Sequence, residues 1–184
     1  MRKRKLIGGT VLTPIRALTG AEIAVENGKI VSVGPRDAAT DAGAEIFDVG
    51  GLWVVPGFID MHVHGGGGYD FMDATVEAFH GAARMHALHG TTALPPTSLA
   101  SGDEALLDMI HAYRNAVRVP WVGAAMPGLH LEGPYFSLAQ AGAQAPDAIT
   151  PPDPKRTARI LEAAQGSVLR WSSAPELPGS MEFA

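Results

Sequence analysis

Hydrophobic positions in the first part of the chain recur with the two-residue period of strands. Residues 6–12 form an apolar run bounded by Pro14, residues 21–26 alternate, and residues 29–33 alternate again after Asn27-Gly28. Two alternating runs joined by Asn-Gly predict a tight hairpin, because both turn residues tolerate a left-handed backbone. Residues 45–49 and 52–55, on either side of Gly50-Gly51, predict two more short strands. Residues 1–56 therefore read as a small β-sandwich or sheet segment.

The rhythm changes after Pro56. Residues 58–63 predict an apolar strand running into Gly65-Gly66-Gly67-Gly68. Asp73 is the expected cap of a helix from Ala74 to about His89, with Gly90 just past its end. Residues 91–94 predict a β-branched strand, and Ser101-Gly102-Asp103-Glu104 reads as a capping box. The helix behind it carries Leu106, Ile110, Tyr113 and Val117 on one stripe. Residues 128–131 predict a strand ending in Glu132-Gly133-Pro134. Asp153-Pro154 opens a third helix, with Asp as cap and Pro in the first turn, running through Ile160 and Leu161 to Gly166. Residues 168–172 predict a fourth strand. This βαβα alternation over residues 57–173 implies an α/β fold with a parallel sheet, either a closed barrel or an open sheet.

Composition narrows the chemistry. The 46% hydrophobic and 18% charged content is that of a globular chain, and the net charge of -5 leaves no basic footprint for nucleic acid. No cysteine is present, so a metal would have to be held by His, Asp, Glu or water. The basic start Met1-Arg2-Lys3-Arg4-Lys5 is not followed by the apolar stretch of a signal peptide, and no run approaches the length of a membrane span. A cytoplasmic protein is expected.

His62 and His64 lie two apart at a predicted strand end, which puts both imidazoles on one face. Imidazole suits zinc, iron or nickel, but two ligands do not close a site. Glu132 ends another predicted strand. In parallel α/β folds the carboxyl ends of the strands form the active face, so Glu132 is expected at the same end as the histidines. Alone, the histidine pair is equally readable as two polar residues at a strand end, and Glu132 reads first as a solvated loop residue. His130 shares the Glu132 face, either orienting a ligand or as a core histidine. Asp60 is placed to bond an imidazole or the backbone. The glycine run reads as a close approach to a ligand or as a loop. His80, His86, His89 and His111 fall on predicted helices outside the sheet and read as surface or helix-packing residues.

Pro56-Gly57-Phe58-Ile59-Asp60-Met61-His62-Val63-His64 resembles the first-strand signature of the amidohydrolase superfamily. Gly90-Thr91-Thr92, Pro96-Thr97-Ser98, Gly128-Leu129-His130-Leu131-Glu132-Gly133-Pro134-Tyr135, Ala141-Gly142-Ala143-Gln144 and Ala174-Pro175-Glu176 narrow the resemblance to the N-acetylglucosamine-6-phosphate deacetylases. The resemblance implies a small β-sandwich followed by a metal-bearing (β/α)8 TIM-type barrel, of which residues 57–184 would be the first half. It implies a divalent metal ion, zinc first with iron, cobalt or manganese as alternatives, held by His62, His64 and Glu132. Retention of both histidines implies room for two ions. It further implies substrate contacts at Ala143 and Gln144, a sugar-phosphate substrate, and a homodimer for the complete enzyme. The reaction implied is hydrolysis of the acetamide to acetate and glucosamine 6-phosphate.

In that family the remaining metal histidines and the catalytic aspartate come from later strands, so none is expected before Ala184. A complete barrel takes about 250 residues. The chain is therefore expected to be a truncated portion, inactive alone, with an open strand edge. Two alternatives stand beside this reading. One is an amidohydrolase acting on a cyclic amide or N-acyl amino acid, disfavoured by the absence of lysine in residues 168–172. The other is an inactive fragment that acts as an oligomerising module.

Overall fold

The computed structural model describes residues 2–184. They divide into two compact units, Met1–Pro56 and Gly57–Ala184.

The first unit is built from β1 (Lys3–Leu12), β2 (Ala17–Glu26), β3 (Lys29–Pro35), β4 (Ala44–Asp48) and β5 (Trp53–Val54). They form one sheet in the order β3-β2-β1-β4, with β5 also paired to β1. Where a sandwich or sheet was expected, the described residues supply a single layer. The β2–β3 turn is the two-residue Asn27-Gly28 hairpin, with φ of 50° and 79°, as the sequence predicts. A small core of Val11, Ala21 and Ile23 lies on one face.

This sheet also holds an ionic cluster that the sequence pattern did not reveal. Lys5 and Glu22 are both buried, with Lys5 Nζ 2.9 Å from Glu22 Oε1 and 3.0 Å from Asp41 Oδ1. Arg36 closes the ring, donating to Glu22 Oε2 at 2.8 Å and to both Asp41 oxygens. Each charge thereby keeps an opposite partner, which a buried ion requires.

The second unit alternates strands and helices: β6 (Phe58–Ile59), β7 (Gly65–Gly66), β8 (Tyr69–Asp70), α1 (Val76–Leu88), β9 (Thr91–Ala93), α2 (Asp103–Ala116), β10 (Leu129–Glu132), α3 (Pro154–Ala164), β11 (Val168–Ser172) and α4 (Ser180–Phe183). β6 pairs β9 in parallel and β10 pairs β11 in parallel. The parallel bridge Val63↔Pro96 extends the first pair, and the parallel bridges Ala93↔Ala125 and Thr97↔His130 join the two pairs edge to edge. The four main strands thus lie side by side in chain order, giving a mixed α/β unit. Helices α1, α2 and α3 supply Phe79, Leu106, Met109, Ile110, Tyr113 and Ile160 to one core with Leu94, just past β9, and Leu129 and Leu131 of β10.

Two helix starts differ from the sequence reading. Asp73 does not cap α1. It closes a reciprocal capping box with Asp70 around the 3-10 turn Phe71–Asp73, Ala74 turns left-handed at φ 53°, and Thr75 then caps α1 through Ala78 N. Ser101 is one residue too early to cap α2, whose N-cap is Gly102 without a side-chain bond. At α3 the Asp153 side chain accepts from Arg156 N and Pro154 occupies the first turn, as expected. The four-glycine run is a hairpin: Gly65 and Gly66 pair with Asp70 and Tyr69 around Gly67 and Gly68, at φ 65° and 89°. A Cβ at Gly65 would stand 2.0 Å from the Tyr69 carbonyl oxygen, so the tight ribbon requires glycine there.

Candidate metal centre

His62 and His64 follow β6 and flank Val63, which extends the β6 line by its bridge to Pro96. The alternation of an extended backbone turns both rings the same way, and their Nε2 atoms lie 3.1 Å apart. Glu132 is the last residue of β10. Its Oε2 is 3.2 Å from His64 Nε2 and its Oε1 is 3.6 Å from His62 Nε2. These three side chains form the one group of potential metal ligands among the described residues, with all donor atoms within 4.8 Å of one another.

Neighbouring groups hold each side chain. His64 Nδ1 faces the Thr97 carbonyl oxygen at 3.3 Å, an acceptor that puts the ring proton on Nδ1 and turns the Nε2 lone pair toward Glu132. Thr97 Oγ1 accepts from Val63 N at 3.1 Å, tying the histidine strand to β9's continuation. Ser98 Oγ accepts from Glu132 N at 3.1 Å. Asp60 bonds the backbone rather than an imidazole, its Oδ1 accepting from His62 N at 3.0 Å.

His130 is fully buried beneath His62, with ring centroids 5.1 Å apart. Burial pushes its imidazole down to about 4, and the Arg170 charge acts in the same direction, so it is neutral at pH 7. Thr97 Oγ1 donates to Pro95 O, so His130 Nδ1–H donates to Thr97 Oγ1 at 3.3 Å. Ser172 Oγ–H then donates to His130 Nε2 at 2.8 Å. Both ring nitrogens are occupied, which makes His130 a buried support and not a ligand.

The two remaining sequence candidates lie in the loop after β10. Ala143 is exposed. Gln144 is half-buried, accepts from Ala100 N through Oε1 at 2.8 Å, and donates through Nε2 to Glu132 Oε2 at 2.9 Å. His80 and His86 bond backbone carbonyls of Ala116 and Gly65 and are outside the ligand group. In the sequence Thr97 and Ser98 stand out only as part of the Pro96-Thr97-Ser98 motif. The structure shows both as fully buried polar residues in the segment after β9, whose hydroxyls accept from Val63 N and Glu132 N.

The donor set fits a divalent cation. With His64 Nε2 unprotonated, a nitrogen lone pair and a carboxylate face each other at 3.2 Å, an arrangement that repels unless positive charge lies between them. Ligands about 2.0–2.1 Å from a tetrahedral ion are about 3.3 Å apart, the spacing found here. Two imidazoles and a carboxylate suit zinc and its first-row neighbours.

No protein-family model matches the chain. Its mixed α/β fold is similar to that of triazine hydrolase from Arthobacter aurescens, with a TM-score of 0.57 over 93% of this chain and 46% of that one at 17% identity, a likeness of fold alone. A nearer likeness is to N-acetylglucosamine-6-phosphate deacetylases. That of Lysinibacillus sphaericus is 29% identical over 160 residues, 87% of this chain and 41% of that protein. The structure of a Mycobacterium smegmatis deacetylase variant in complex with N-acetyl-D-glucosamine-6-phosphate aligns with a TM-score of 0.87 at 33% identity, covering 100% of this chain and 46% of that chain. The chain resembles the N-terminal portion of these deacetylases and spans less than half the length of the relatives it matches.

Proposed function

We propose that the chain is the N-terminal part of a metal-dependent amidohydrolase that deacetylates N-acetylglucosamine 6-phosphate, releasing acetate. The observation that carries this reading is the convergence of His62, His64 and Glu132 at the strand ends of a chain similar to such deacetylases. In this reading the parallel succession β6, β9, β10, β11 is the first half of a (β/α)8 barrel, and the sheet of residues 1–56 is one layer of a small sandwich. His62 Nε2, His64 Nε2 and Glu132 would hold the ion, with zinc as the first candidate. A divalent cation supplies Lewis acidity for the amide carbonyl and lowers the pKa of water at the site toward 7.

The chain's own residues prepare that chemistry. The Thr97 carbonyl fixes the His64 tautomer so that Nε2 offers a lone pair. Buried His130 stays neutral and adds no charge to the site. Ala143, exposed on the loop after β10, is proposed to contact the sugar. A cytoplasmic homodimer of the longer protein belongs to the same reading.

The test is metal analysis and acetate release from N-acetylglucosamine 6-phosphate, on this chain and on a version extended to the length of the relatives. The expected result is metal in both and acetate release in the extended form. Bound metal without acetate release in either form would overturn the substrate.

A further inference from the structure

We infer that Gln144 is a positioning residue for Glu132, fixing the plane of its carboxylate for cation binding. The inference rests on the metal-site reading above and assigns Gln144 a task other than touching substrate. The backbone amide of Ala100 is a donor, so the atom of Gln144 facing it at 2.8 Å is the acceptor Oε1. The amide plane then directs Nε2–H to Glu132 Oε2 at 2.9 Å. The Gln144 backbone is itself held, its N–H donating to Ala141 O at 3.1 Å. The side chain is thus clamped at both ends, between the segment after β9 and the carboxylate at the tip of β10.

The consequence for Glu132 is geometric. Its main chain is fixed by Ser98 through the Glu132 N–H. That bond leaves the side-chain torsions free. Gln144 restrains them by taking one lone pair of Oε2, the oxygen 3.2 Å from His64 Nε2. Oε1 is left facing His62 at 3.6 Å. A ligand held in its binding orientation loses less freedom when the ion arrives, and removal of such a supporting group typically weakens metal binding about 10–100-fold.

Cobalt(II) titrated into this chain tests the assignment, with the dissociation constant read by calorimetry and the coordination by the visible absorption band. Gln144→Met removes the donor at similar volume. Gln144→Asn keeps an amide but is one methylene too short to span both partners. Both are expected to bind cobalt about 10–100-fold more weakly than the parent and to shift the band. On a Glu132→Ala background the Gln144→Met effect should shrink to under about threefold, because the residue acts through Glu132. His62→Ala is the control for the site itself. Parent-like binding by Gln144→Met and Gln144→Asn, with His62→Ala impaired, would overturn the positioning role and leave the metal site standing. Parent-like binding by His62→Ala would sink the metal reading instead. A Gln144→Met loss that persists in full without Glu132, or loss of the circular dichroism signal in both Gln144 variants, would assign Gln144 to the fold and overturn the inference.

Discussion

His64 Nε2 and Glu132 Oε2 approach to 3.2 Å with no proton required between them once Nδ1 donates to Thr97. A cation would relieve that juxtaposition, and in the proposed site each of the three side chains would contribute to its binding in a way no neighbour replaces. His130 does not stand in for a lost histidine, since both its nitrogens are bonded to Thr97 and Ser172. His62→Ala, His64→Ala and Glu132→Ala are therefore each expected to lower cobalt or zinc affinity by more than the roughly 100-fold ceiling for loss of a supporting group. Equilibrium dialysis with metal analysis measures it. Undiminished stoichiometry in all three at micromolar metal would refute the ligand set.

Helix starts separate the features of this chain that local chemistry writes plainly from those that it does not. Asp153 and Pro154 act within three residues of the α3 start, and the sequence suffices to place them. At α1 two capping motifs overlap. The Asp70–Asp73 box serves a 3-10 turn, so the later Thr75 becomes the cap, and only the left-handed Ala74 between them separates the two. At α2 the spacing of Ser101 to Glu104 mimics a capping box, but the helix begins at Asp103 and the buried Ser101 hydroxyl has no partner. Thr75→Ala should then cost about 1 kcal/mol in urea unfolding. Ser101→Ala should be neutral or stabilising by up to about 1 kcal/mol, since it removes an unsatisfied buried hydroxyl. A cost at Ser101 equal to that at Thr75 would contradict the observed caps. The meeting of His62, His64 and Glu132 was legible for a related reason: strand periodicity and the common end of parallel strands are properties of the elements themselves. The Gln144 link was not legible, because an irregular loop carries it back to Glu132. The Lys5–Glu22 pair was equally hidden, as alternation marks which face a residue takes without marking what waits there.

The two units place their charges in different ways, and that difference is measurable across the molecule. In Met1–Pro56 two carboxylates are stabilised as anions: Arg36, then Lys5, hold Asp41 down at about 2, and the hydrogen bond from Lys5 holds Glu22 below its ordinary value. A depressed carboxylate pKa contributes stability that is fully present above the unfolded value, near 4, and is lost as pH falls toward 2. In Gly57–Ala184 the corresponding lever is the proposed cation, which would bind only folded His62, His64 and Glu132. At 100 times its dissociation constant it adds about 2.7 kcal/mol, or about 100-fold in protection. Hydrogen exchange read amide by amide should therefore show two responses. Acidification from pH 5 to pH 2, with a chelator present, should lower protection in β1 and β2, and Asp41→Asn should lower it at pH 5 and flatten that fall. Cobalt at pH 7 should raise protection at Thr97, Ser98 and His130, whose amides donate to Val63, His130 and Pro96 carbonyls across the strands bearing the ligands. Equal gains in β1 and in these amides would contradict a site confined to the second unit. A parent-like acid response in Asp41→Asn would remove the Lys5–Glu22–Arg36–Asp41 ring as its cause.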